Sequence, residues 1–168
     1  VTVRLMSTTA TVEPTRRLGG PWTTFWLCAT ATYIGTLDFS IVNVAFIEIE
    51  RAFPGASRTS ISWVVTAYSI LYGSLLVVSG RTADRIGRRR VFGIGVWSFL
   101  VGSIICAAAP SIAVLIIGRA VQGAGASMFT PAALGLTIGA FPAEPRTPMV
   151  SWTTALAASG GASAPTLG

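Results

Sequence analysis

"SGRTADRIGRRRVF", Ser79 to Phe92, is the stretch whose reading decides the fold, because it is a dense charged island in an apolar chain. Arg81, Asp84, Arg85, Arg88, Arg89 and Arg90 all fall within it, in a sequence with only twelve basic and six acidic residues. Uncharged runs flank it on both sides, 59–80 before and 91–118 after, and further ones cover 18–37, 120–143 and 147–168. Crossing a bilayer takes roughly 20 mostly apolar residues, so several of these runs are long enough to span. The island is therefore read first as a short connection between two membrane helices.

Composition agrees. The 168 residues are 52% hydrophobic and 11% charged, with a mean hydropathy of +0.68. A soluble domain carries about 25% charged residues. The net charge of +6 would suggest nucleic acid on a soluble protein; here membrane topology accounts for it, and no nucleic-acid partner is expected. No cofactor or metal is expected either. Cys28 and Cys106 are isolated within apolar runs, where a lone cysteine acts as a small hydrophobe. Without any His, neither a Ser–His dyad nor His ligation of haem is possible, which argues against a membrane enzyme. The GAGAS of 123–127 lacks the preceding strand and following acid of a dinucleotide loop.

Five membrane helices fit the pattern, at about 22–47, 60–80, 91–109, 111–139 and 149–168. Residues 1–20 are Thr-rich and polar without an apolar signal core, and are expected to be a disordered cytoplasmic tail ahead of a membrane domain at 21–168. Ser60 is a plausible cap for the second span. Pro110-Ser111 turns the chain between the third and fourth, and Pro131 is expected to bend the fourth.

The arginines set the orientation. With a cytoplasmic N-terminus, nine lie inside (Arg4, Arg16, Arg17, the five of the island, and Arg146) and two outside, Arg51 and Arg58. This is a clear positive-inside bias. Arg119 is left within the fourth span.

An ionisable group costs about 2.5–3.5 kcal/mol at the bilayer centre, so those that remain there are functional candidates. This chain has two, Asp38 and Arg119. Counted from the outer boundary, both lie about 12–14 Å deep at a 1.5 Å rise per residue. A shared polar cavity follows, in which Asp38 takes up and releases a proton beside Arg119; a static ion pair between two helices is the alternative. Gln122, three positions after Arg119, shares its helix face. Gly160, Ala164 and Gly168 form a small-residue stripe at four-residue spacing, for close helix packing, and Pro165 adds a kink.

The pattern G-R-T-A-D-R-I-G-R-R, from Gly80, resembles the loop between helices two and three of the major facilitator superfamily, with Thr82 where Leu is usual. L-D-F-S-I-V-N-V-A (37–45), WVVTAYSI (63–70), L-I-I-G-R-A-V-Q-G-A-G-A (115–126) and G-G-A-S-A-P-T-L-G (160–168) are similar to motifs of its fourteen-span drug:proton antiporters. The resemblance implies an all-α integral membrane fold, the first five helices of a six-helix N-terminal half.

The implied function is proton-coupled efflux by alternating access, driven by the proton gradient. Implied partners are protons, lipid, a small apolar or cationic organic substrate, and a C-terminal half not included in this chain. The implied location is the inner membrane, multi-pass. Asp84 would act with Arg85 and Arg88 as a cytoplasmic latch, with Gly80 and Gly87 permitting the turn; a surface counter-ion is the plainer role for Asp84. Trp26, Tyr33, Phe39 and Phe129 are candidate cavity aromatics. A truncated product without transport activity, and an uptake carrier of the same superfamily, are the competing expectations.

Overall fold

The computed structural model describes residues 20–141 and 146–167. These form α1 (Pro21–Val44), α2 (Phe46–Ala52), α3 (Arg58–Ile86), α4 (Arg88–Ala107), α5 (Ile112–Ala140) and α6 (Arg146–Leu167), with no strand among the described residues. Four of them, α1, α3, α4 and α5, are long and apolar enough to cross a membrane. The expected span at 149–168 falls on α6. The expected tail up to Gly19 and the stripe residue Gly168 lie outside the described residues, as do the side chains of Ala164 and Pro165.

The helix ends follow local chemistry, with some corrections. The first span, expected to reach residue 47, divides at Ala45, and Glu48, Glu50 and Arg51 fall on the short α2. Ser57, not Ser60, caps α3: its hydroxyl accepts from the Ser60 N–H at 3.1 Å, satisfying one of the first-turn donors that lack a helical partner. Ser111 caps α5 the same way, accepting from the Val114 N–H.

The charged island is not a loop. Helix α3 runs on to Ile86 and α4 starts at Arg88, so Gly87 alone interrupts the helix, at φ 104°. Such a φ is cheap only for glycine. Arg81, Asp84 and Arg85 hydrate their charged ends while the backbone keeps its helical bonds; the end of an apolar run marks the end of the membrane, not of the helix. Gly80, expected in the turn, lies inside α3 and faces α5, where an added Cβ would sit 3.7 Å from Pro131 Cβ.

Helix α5 is the centre of the bundle and packs on α4, α3, α1 and α6, while α6 lies mainly along α1. Its sequence permits this because Gly118, Gly123, Gly125, Ala126, Ala132 and Ala133 keep its buried surface small. At Gly125 a Cβ would meet Phe99 N at 2.5 Å and Gly95 O at 2.7 Å, so the backbones of α4 and α5 touch there. Small residues allow this approach, which matters in lipid, where dispersion rather than water exclusion drives helix association. Around this contact Tyr68, Phe99, Ala126 and Phe129 form a buried cluster, with Phe99 edge-on to Phe129. Large apolar side chains such as Trp97, Val77 and Ile104 face outward, more than half exposed. A contiguous apolar exterior suits lipid rather than water.

Candidate functional site

The two ionisable residues inside apolar spans meet. Asp38, from the last third of α1, accepts on Oδ2 from Arg119 Nη1 of α5 at 2.6 Å. The Arg119 side chain is 3% exposed and that of Asp38 21%, so the carboxylate is the accessible member of the pair. Gln122, one turn along α5, completes a triangle. Its Oε1 accepts from Arg119 Nη1 at 2.7 Å, and its Nε2 donates to Asp38 Oδ1 at 3.3 Å and to Ser103 Oγ of α4 at 2.8 Å. Cys106 Sγ adds a weak bond to the same Oε1 at 3.5 Å. Ser103 in turn donates to the Phe99 carbonyl. The Gln122 amide is thus fully employed, as a buried amide must be.

The arginine is not. Its Nε and Nη2 are buried without a hydrogen-bond partner. Instead the guanidinium lies against the ring of Tyr68 from α3, with Cζ 4.5 Å from the centroid. A cation over an aromatic face is stabilised by the ring quadrupole, by about 2 kcal/mol or more when desolvated.

The site therefore draws on four helices. The carboxylate and guanidinium neutralise each other while Asp38 is ionised; a proton on Asp38 leaves one positive charge on Arg119, facing an amide oxygen and an aromatic ring.

Tyr68 also lines a half-open cavity of about 460 Å³ between α1, α3, α5 and α6. Phe39, Tyr68, Tyr72 and Phe129 line it, with hydroxyls from Thr36 and Thr130. Asp38, Arg119 and Gln122 do not. Phe39 tilts over Tyr68 at 5.5 Å between centroids, and Tyr72 stacks on Tyr68 at 6.0 Å. Two of the four expected aromatics, Phe39 and Phe129, thus reach the cavity; Trp26 and Tyr33 line a smaller cleft beside Leu156 instead. Sequence reading missed Tyr68, Tyr72 and Ser103. The four-residue spacing of the two tyrosines, which puts both on one helix face, was the available signal. A serine among apolar residues in α4 gives none.

The second constellation lies where α3 meets α4. Arg88 Nε and Nη2 both donate to Asp84 Oδ1, at 3.1 and 3.0 Å, and Arg88 Nη1 donates to the Gly135 carbonyl of α5 at 2.8 Å. Arg85 is exposed and makes no ion pair among the described residues. In α6, Gly160 is buried against α1: a Cβ there would meet Thr36 Oγ1 at 2.5 Å and the Tyr33 carbonyl at 2.8 Å.

Comparison with known proteins agrees with this architecture. Residues 28–168 match the family described as Major Facilitator Superfamily. The methylenomycin A resistance protein of Streptomyces coelicolor is 38% identical over 141 residues, 83% of this chain and 30% of that protein. The multidrug resistance protein Stp of Mycobacterium tuberculosis is 41% identical over 133 residues, 79% of this chain and 25% of that protein. The riboflavin transporter RibZ of Clostridioides difficile is 31% identical over 147 residues, 88% of this chain and 32% of that protein. The chain thus spans between a quarter and a third of the length of these relatives.

Proposed function

The chain belongs to the Major Facilitator Superfamily, and from that premise we propose that it carries the proton-binding element and part of the substrate cavity of an exporter of small organic compounds. Family membership and four apolar helices make it part of a multi-pass membrane transporter. The observation that carries the finer reading is the Asp38–Arg119–Gln122 cluster, a buried arginine holding a more accessible carboxylate inside the bundle. A carboxylate in that setting has two states of different charge, the elementary requirement for exchanging a proton against a substrate. The antibiotic and multidrug resistance relatives support export as the direction, and the aromatic cavity supports an apolar or cationic cargo. The arginine distribution supports a cytoplasmic N-terminus in the cell membrane, with Asp84 and Arg88 on the cytoplasmic side.

The test uses the chain within its complete coding frame, in everted membrane vesicles. An imposed proton gradient should drive accumulation of a fluorescent lipophilic cation such as ethidium, and Asp38→Asn should abolish it at unchanged expression. Gradient-driven accumulation at the parental rate in that variant would remove Asp38 as the coupling acid. The riboflavin transporter relative, whose name carries no direction of transport, leaves an uptake carrier as the second reading. Movement of the substrate in the opposite sense in the same vesicles would select it.

A further inference from the structure

Tyr68 borders both the charged cluster and the cavity. One side of its ring carries the Arg119 guanidinium, 4.5 Å from the centroid, and the ring also lines the cavity with Phe39 and Tyr72 packed against it. The residue is 4% exposed. Its main chain is pressed on α5 at Gly123, where an added Cβ would come within 2.5 Å of the Tyr68 carbonyl oxygen. None of the three polar residues of the proton site lines the cavity. Tyr68 both touches the guanidinium and lines the cavity.

We infer that Tyr68 is the positioning residue that couples the two, and that the cavity it lines takes a cationic ligand. The inference rests on the proposed proton-coupled export. With Asp38 ionised the pair behind the ring is neutral, and the aromatic box of Tyr68, Tyr72, Phe39 and Phe129 offers electron-rich surfaces to an organic cation. With Asp38 protonated the pair carries one positive charge. Arg119 then has Gln122, the neutral carboxyl oxygen of Asp38 and the Tyr68 face to answer that charge, because its Nε and Nη2 have no acceptor among the described residues. The uncompensated guanidinium draws on the same ring from behind and repels a cation in front of it. Proton and cation therefore exclude each other without sharing a ligand group.

The groups facing Asp38 are Arg119 of α5, Tyr68 of α3, with Tyr72 stacked behind it, and Cys106 of α4. Arg146, at the start of α6, is the one titratable residue in the sequence of that helix.

The test is binding of tetraphenylphosphonium to the protein in its complete coding frame, in nanodiscs, at acidic and at neutral pH. Parental protein should bind more tightly at neutral pH, and Tyr68→Phe should preserve both the affinity and the pH dependence. Phenylalanines carrying one, two and three ring fluorines at position 68 keep the shape while draining the face. They should weaken neutral-pH binding stepwise, by about fivefold at the end of the series, with the ratio between the two pH values falling in parallel. Constant affinity and constant pH ratio across that series would overturn the role of Tyr68. If the series leaves binding unchanged while vesicles still show gradient-driven export, only this inference fails. If parental binding is insensitive to pH and no gradient drives export, the proposed function fails with it.

Discussion

Arg88 and Gly135 tie the start of α4 to the end of α5: the guanidinium donates from Nη1 to the Gly135 carbonyl at 2.8 Å, while its other nitrogens hold Asp84. Three helices are clamped by one side chain, with the single-residue break at Gly87 between two of them. The ion pair by itself contributes little, because both partners are substantially exposed and water screens them. Geometry is the larger contribution. The planar fork fixes the angle at which α3 passes into α4 and registers both on the end of α5.

Gly135 is what admits the fork. A Cβ at that position would lie 2.6 Å from Arg88 Cδ and Nε. Gly135→Ala should therefore displace the end of a flexible side chain rather than any backbone, breaking the bond to the carbonyl. The expected loss is about 0.5–1.5 kcal/mol of stability, the net worth of one hydrogen bond. Thermal unfolding in detergent micelles checks this. Adding Arg88→Ala should then cost only what its contact with Asp84 contributes, so the two losses fall short of additive, and additive losses would mean that the two residues act independently.

The α4–α5 contact gives a sharper contrast between glycines. At Gly125 the atoms in the way are Phe99 N and Gly95 O, which belong to helix backbones and cannot rotate aside. Gly125→Val should cost more than about 3 kcal/mol, in the range of a severely overpacked core, or prevent accumulation in the membrane. Gly93, in α4, has nothing within 4 Å of a built Cβ. Gly93→Ala should be neutral or stabilise by up to about 1 kcal/mol through helix propensity. Unfolding midpoints of the two variants, measured side by side, decide it.

Much of this was legible before the structure. Asp38 and Arg119 announced themselves because ionisable residues are conspicuous in apolar runs, and their equal depth placed them together. Gln122 followed from helical spacing alone. Tyr68, Ser103 and Cys106 did not, since neutral residues in a membrane helix carry no sign of which neighbour they face. The extent of α3 was also hidden. Charge at Arg81, Asp84 and Arg85 looks like a loop when hydropathy is the guide, yet it only shows where the helix enters water. Gly80 and Gly87 read alike in the sequence; a positive φ at Gly87 and a facing proline at Gly80 separate them.

Arg119→Lys separates charge from shape at the buried site. Lysine would keep the positive charge beside Asp38, so the cost of leaving a partly exposed carboxylate without its partner should be avoided and the protein should still accumulate. What lysine lacks is the planar group. From the position of Nη1 an ammonium can reach Asp38 Oδ2 and Gln122 Oε1, but it cannot lie flat on Tyr68, and it is the more strongly hydrated cation. Binding of a neutral apolar probe in the cavity should change little. Gradient-driven export of a cation should fall about tenfold or more, corresponding to at least 1.4 kcal/mol in the coupled step. Export at the parental rate in Arg119→Lys would show that charge alone suffices, and that the stacking of guanidinium on tyrosine is packing rather than coupling.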